Sequence, residues 1–177
     1  MGRPRSIDRD KVLDIAERIV REEGATALTF DAVAKAAGIT KGGLQYCFGS
    51  KDDLIAAMAE RWVKAFDAEV ERHTPPDGTK VERARGYVTA SARIDEASQT
   101  KIAGMLVSLL QSPRHLEQGR HWYAEWLQRL EPGSAAERRA RTAFFAAEGA
   151  FFLRSLGLVE MDQAGWDGVF DDILALL

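Results

Sequence analysis

The sequence predicts an all-α protein of about nine helices, with a three-helix helix-turn-helix unit over residues 1–50 and a larger helical body over residues 51–177. Three observations carry this reading. Apolar residues recur at helical intervals through most of the chain, and alternating strand-like runs are absent. Ser and Thr caps and Pro/Gly breaks cut the pattern into separate segments. Near the N-terminus two short helical patterns meet at Gly38 and Ile39, a join that suits a tight bend between helices.

The first helix runs from about Asp8 to Glu23, with Val12, Ile15 and Ile19 on one face and Leu13, Ala16 and Val20 beside it; Gly24 ends it. Thr29 is placed to cap the second helix and Thr40 the third. Val33, Ala34, Ala37, Ile39, Leu44 and Cys47 recur so that these two helices share one apolar seam. Ser50 caps a longer fourth helix from Lys51 to about His73, bearing Leu54, Ile55, Met58, Trp62 and Phe66. The stretch from Thr74 to Thr79, with Pro75, Pro76 and Gly78, is a break, and Thr79 with Glu82 forms a capping box for a fifth helix. Helical spacing continues over residues 101–111. Ser112 and Pro113 then open a further helix, since proline suits the first helical position. After the break at Pro132-Gly133, Ser134 and Glu137 make a second capping box for a helix to about Leu156. A last amphipathic segment spans Asp162 to Leu177.

Composition narrows the class. Of 177 residues, 46% are hydrophobic, ample for a core, yet no run of about 18 apolar residues suggests a membrane span. No apolar stretch follows Met1, so no secretory signal is expected. The single cysteine, Cys47, makes no internal disulfide and fits a reducing cytoplasm. A net charge of −3 argues against a protein that coats nucleic acid over its whole surface. Residues 1–51 nevertheless carry nine Lys/Arg against seven Asp/Glu, while the remainder is acidic.

The positive excess accompanies the third helix. With Leu44, Cys47 and Phe48 turned inward, Lys41, Gly42, Gly43, Gln45 and Tyr46 are left outward. Adjacent glycines cost a helix roughly 1 kcal/mol each relative to alanine, and bare backbone there lets the helix lie close to a partner. A short helix presenting small, amide and basic groups suits the major groove of double-stranded DNA. An ordinary exposed aromatic is the plainer role for Tyr46. Arg3 and Arg5, in the arm Gly2-Arg3-Pro4-Arg5, either fray or reach a phosphate or the minor groove. The hydroxyls of Thr29 and Thr40 sit at helix starts, where phosphates bind.

The N-terminal fifty-odd residues resemble the tetracycline-repressor (TetR) family of bacterial transcription regulators. The matching pieces are the helix ending at Glu23-Gly24, then Leu28-Thr29, Val33-Ala34, Ala37-Gly38-Ile39, Lys41-Gly42-Gly43-Leu44, Phe48, and Ser50-Lys51 with Leu54. The resemblance implies a cytoplasmic homodimer with two DNA-reading heads, one on each helical regulatory body. Such a dimer represses from a palindromic operator and lets go when a small-molecule effector binds. By position, Thr29, Thr40 and Lys51 would hold phosphates, Lys41, Gly42 and Gln45 would lie nearest base edges, and Tyr46 would touch backbone or a thymine methyl. Two positions depart from the family pattern: Gln45, where tyrosine is usual, and Cys47, where histidine is usual. Glutamine pairs with adenine in the major groove, so Gln45 is placed to read a base.

The body offers two further expectations. Ala136, Ala140, Ala143, Ala146, Ala147, Gly149 and Ala150 alternate with phenylalanines spaced at seven, making one helix apolar nearly all round. With Trp166, Phe170 and Ile173 of the last segment, Ala140, Phe144, Ala147 and Phe151 suggest a dimer interface of two helices per subunit; internal core is the alternative. Trp62, Phe66, Tyr87, Met105, Trp122, Trp126 and Phe152 are large enough to line an effector pocket, although core packing suits each one singly. Glu148 interrupts an apolar run, and a buried carboxylate needs a partner: an arginine, a polar dimer contact, or a cationic ligand framed by aromatics.

Two rival classes are weaker. His121 and Glu125, four apart, with His115 nearby, are too few for a metal-dependent enzyme, which needs three or four converging ligands. No catalytic residue, metal or cofactor is expected, and Cys47 falls on the inward side of its helix. A helical adaptor that has lost DNA binding is supported only by the departures at Gln45 and Cys47.

Overall fold

The computed structural model describes residues 7–95, 98, 102 and 112–177. Among these are eight α-helices: α1 (Arg9–Glu23), α2 (Phe30–Ala37), α3 (Lys41–Phe48), α4 (Lys51–Arg72), α5 (Lys80–Ala92), α6 (Pro113–Arg129), α7 (Ala135–Ser155) and α8 (Gln163–Leu174). A 3₁₀ turn, Ala25–Ala27, joins α1 to α2, and no strand occurs among the described residues. The helix expected over residues 101–111 lies outside the described residues except for Ile102, which is helical and buried. Arg3, Arg5 and Met105 also lie outside them.

The caps act where the sequence places them. Asp8, Thr29, Thr40, Ser50, Thr79, Ser134 and Asp162 each accept a backbone N–H from the first turn of their helix. Both capping boxes close, and backbone hydrogen bonds hold the Glu82 and Glu137 carboxyls below the usual carboxylate range. Ser112 makes no side-chain cap bond; Pro113, whose missing N–H needs none, starts α6 instead.

Two apolar clusters organise the molecule. The first gathers α1, α2, α3 and the start of α4 around Val12, Leu13, Ala16, Val33, Leu44, Phe48, Leu54 and Met58. The second gathers the rest of α4 with α5 to α8 around Phe66, Tyr87, Trp126, Phe144, Trp166 and Phe170. Helix α4 belongs to both. Helix α5 is the spine of the body, packed against α4, α7 and α8.

This packing corrects the expected dimer residues. Ala140, Phe144, Ala147, Phe151, Trp166, Phe170 and Ile173 are all buried inside the single subunit. Side chains with no more than 6% of their surface exposed have almost none left to bury against a second copy. The small residues of α7 serve the close approach of α5, whose Ala84, Val88 and Ala90 are buried in the same cluster. Gly86 of α5 answers the same need toward α4: a Cβ there would collide with Thr74 Oγ1 and stand 3.1 Å from the Val70 carbonyl.

Candidate functional site

The bend between α2 and α3 is made by Gly38, in the left-handed region at φ 65° and ψ 30°, with the Ile39 N–H returning to the Ala34 carbonyl at 3.0 Å. Leu44 and Phe48 then drop into the seam, with Leu44 fully buried. Helix α3 is therefore presented with Lys41, Gly42, Gln45 and Tyr46 outward, Tyr46 being 92% exposed. Cys47 is half-buried.

The two glycines of α3 differ. A Cβ on Gly42 would meet nothing within 4 Å. A Cβ on Gly43 would stand 2.9 Å from Ile7 Cδ1, and the residue is half-buried. Gly43, at the edge of the outward face, also makes room for the chain entering α1. Gly42 keeps that face bare.

Around this face stand groups suited to a polyanion. The Thr40 hydroxyl oxygen accepts from Gly43 N at 3.0 Å and that of Thr29 accepts from Ala32 N at 3.1 Å. A hydroxyl both donates and accepts, so each can still donate its O–H to an anion. Lys51 is exposed at the start of α4, and Lys41 Nζ pairs with Asp31 Oδ2 at 3.0 Å in an exposed ion pair that an incoming phosphate can exchange. Arg9, outside the sequence-predicted set, joins them. Its guanidinium donates to the Cys47 carbonyl at 2.6 Å and lies 4.4 Å over the Phe48 ring, clamping the C-terminal end of α3 from α1. Its position two residues before Lys11, among charged residues, gave no periodic signal.

The second constellation is inside the body. Tyr87 and Tyr123 donate their phenol O–H groups to the two carboxylate oxygens of Glu148. Burial pushes the Glu148 carboxyl above the usual range, and the two phenols oppose that shift. Burial, with the nearby Glu148 charge, raises both phenols in turn. Rings enclose the triad: Tyr87 lies 5.1 Å from Phe66, 4.7 Å from Trp126 and 4.7 Å from Phe144, centre to centre. Trp122 Nε1 donates to Asp67 Oδ2 at 3.4 Å, and burial raises that carboxyl too. Asp67 Oδ1 and Trp126 Nε1 are buried without a hydrogen-bond partner among the described residues.

Of the residues expected to line a pocket, Trp62, Phe66, Tyr87, Trp122, Trp126 and Glu148 converge here. Phe152 stacks edgewise on Phe151, whose ring lies 6.4 Å from Trp62, and so stands behind the first layer. Phe144, expected at the dimer contact, belongs to this box. Tyr123 and Asp67 were missed. Tyr123 was legible as the residue three before Trp126, but Asp67 is one acid among many on α4.

Between the two constellations runs a polar strut. Arg114 Nη1, at the start of α6, meets Asp53 Oδ1 at 2.6 Å, and His115 Nε2 lies 3.2 Å from the Asp52 carbonyl. The Ser50 hydroxyl first and Arg114 second hold the Asp53 carboxyl low. The start of α6 therefore grips the start of α4 beside Lys51. His121 and Glu125 form an exposed pair at 3.2 Å while His115 is buried elsewhere, and among the described residues no three His, Cys, Asp or Glu converge on one point.

Comparison with known proteins decides the family. Residues 12–58 match the model of bacterial regulatory proteins of the tetR family, and residues 81–177 match the tetracyclin repressor-like C-terminal domain. The chain belongs to the TetR family. This TetR-family chain is 24% identical over 161 residues to the HTH-type transcriptional regulator BetI of Rhizobium meliloti, a match that covers 85% of this chain and 79% of that protein. Its fold is that of a transcriptional regulator from Rhodococcus sp. Rha1, with a TM-score of 0.75 at 20% identity over 96% of this chain and 95% of that one. It is also the fold of the multidrug binding protein EbrR, solved in complex with imidazole, with a TM-score of 0.69 at 20% identity over 96% and 94% of the two chains. The TetR-family chain is thus a transcriptional regulator with a helix-turn-helix head. None of its described helices is long and apolar enough to cross a membrane.

Proposed function

We propose that this regulator is a cytoplasmic homodimeric repressor that reads a near-palindromic operator with the outer face of α3 and releases it when a small molecule enters the body. The observation that carries this reading is the bare, polar face of α3 held over a buried Leu44. In this reading Lys41, Gly42 and Gln45 face base edges, Tyr46 touches backbone or a thymine methyl, and Thr29, Thr40 and Lys51 hold phosphates.

The dimer surface fits the outer side of α7 rather than its inner one. Thr142, Phe145, Gly149, Leu153 and Leu156 follow one exposed stripe, continued by Leu158 and Val159. Phe145 is 53% and Leu158 68% exposed, which is unusual for side chains of that size unless a partner covers them. A two-fold dimer calls for a two-fold operator.

The effector site is the aromatic box at Glu148. A cation or hydrogen-bond donor complements the two raised carboxyls of Glu148 and Asp67, and the surrounding rings add cation–π attraction. An occupant displacing the phenols moves Tyr123, hence α6, and Arg114 carries that motion to Asp53 at the root of the head. The ligand acts by favouring one of two body shapes. Half-sites one turn apart are about 34 Å from centre to centre, so a shift of a few ångströms prevents both heads docking at once.

The test is selection of bound fragments from the source genome, followed by footprinting. Two protected half-sites about one helical turn or a multiple apart are expected. A single protected half-site, or no fragment enriched over bulk DNA, contradicts the proposal.

A further inference from the structure

The two apolar clusters share no residue, and where they meet they leave a cleft of about 160 Å³. Val20 and Met58 face it from the head cluster, Trp62 and Ile102 from the body cluster, with Glu17 and Arg61 at its edge. It is distinct from the box at Glu148: of the rings there, only Trp62 reaches both. We infer that this cleft is a second small-molecule site, at the seam between head and body, and that it takes one neutral aromatic ring or an apolar molecule of similar size.

Size sets the first limit. Drug-sized ligands occupy pockets of about 300–1,000 Å³, so this cleft is too small for them. An apolar cavity of about 150 Å³ stays dry and admits benzene, so one ring fits. Chemistry sets the second. Among the described residues the walls are Val20, Met58, Ala65, Ile102 and the Trp62 indole, which offer dispersion contacts and one aromatic face, with a single hydroxyl, that of Ser98, already donated to Asp95 Oδ2 at 2.7 Å. The charges at the edge are already engaged with one another: Arg61 Nη2 meets Glu17 Oε1 at 2.6 Å, and Arg61 Nη1 meets Asp14 Oδ1 at 2.7 Å. An anion would compete with two carboxylates for one guanidinium. A cation would compete with that guanidinium for the carboxylates. A neutral ring disturbs neither.

Position gives the site its consequence. An occupant touches α1 through Val20 and α4 through Met58 and Trp62, so it braces the arrangement of head on body seen here. A molecule bound at a seam between two moving parts is linked to their relative position, and the linkage is reciprocal. This inference does not depend on the box at Glu148 being an effector site.

Fluorobenzene titrated into the full-length protein and followed by ¹⁹F NMR is the direct test. Saturable binding is expected, with half-saturation below about 1 mM, and ring protons should show NOEs to the methyl groups of Val20, Met58 and Ile102. Val20→Phe fills the cleft and should weaken binding by about tenfold or more. Trp62→Ala enlarges it and should admit 1-fluoronaphthalene. Glu148→Gln should leave fluorobenzene affinity within about twofold, because Glu148 does not line the cleft. The NOEs decide the matter even if a cleft variant fails to fold. Non-saturable binding, or NOEs to the rings around Glu148 in place of those three methyls, overturns the inference. Loss of binding in Glu148→Gln alone assigns the ring to the proposed effector box and overturns it as well.

Discussion

The head and the body use polar groups in opposite ways. In the head, the apolar seam of Val33, Leu44 and Phe48 fixes the shape, and the chemistry stands outside on Lys41, Gln45 and Tyr46. In the body, the chemistry is inside: Glu148, Tyr87, Tyr123 and Asp67 are packed among the same rings that hold α4, α5, α6 and α7 together. A surface side chain in the head can change without moving the fold, so what it reads is separable from how it folds. In the body one set of side chains carries both the packing and the buried polar groups, so changing either disturbs the other.

The largest expected effect probes the seam. Leu44→Ala should cost about 3 kcal/mol of stability in urea unfolding, within the usual range of about 2–5 for a buried leucine. A loss below about 1 kcal/mol would mean that α3 is not held by its inward face. Gly86→Ala comes next, because the added methyl has the Val70 carbonyl and Thr74 in its way. It should destabilise by about 1–3 kcal/mol, and a stabilising result would show that α4 and α5 can part at no cost.

The third prediction concerns pH. The Glu148 carboxyl titrates above its ordinary value of 4.5 in the folded protein because of burial. Between the unfolded and folded values the native state holds the extra proton, so stability falls as pH rises through that window, by at most about 1.4 kcal/mol per pH unit. Glu148→Gln should flatten thermal unfolding over that window. An unchanged slope would place the polar triad outside the energetics of the body. The smallest effect is at Gly42, where a Cβ meets open space. Gly42→Ala should stabilise α3 by up to about 1 kcal/mol while weakening DNA binding, measured on the same preparation. Stabilisation with unchanged DNA affinity would show that the bare backbone has no role at the interface.

The same division governs what was legible in the sequence. The helix borders were readable because Ser, Thr and Asp caps and Gly38 act through neighbours three to five residues away. The outward face of α3 was readable from period alone, but not the contact of Gly43 with Ile7, which is distant in sequence. The body was readable as helical, but not in its facing. Helix α7 is apolar nearly all round, so periodicity could not say which stripe meets α5 and which is exposed; Phe144 is buried and Phe145 exposed. The pairing of Glu148 with Tyr87 and Tyr123 spans 61 and 25 residues, a separation no local pattern encodes. Arg9 and Arg114 were missed for the same reason, since each acts on an element 38 or more residues away.

Titrating a selected genomic fragment with wild type, Gln45→Ala and Tyr46→Ala across a range of salt tests the reading of α3 most directly. Wild type should bind with an affinity that falls steeply as salt rises. Both variants should unfold within about 0.5 kcal/mol of wild type, and Gln45→Ala should lose about 1–3 kcal/mol of discrimination at one base pair in each half-site. Equal affinity, equal salt slope and equal discrimination in all three folded proteins would contradict the assignment of this face to DNA.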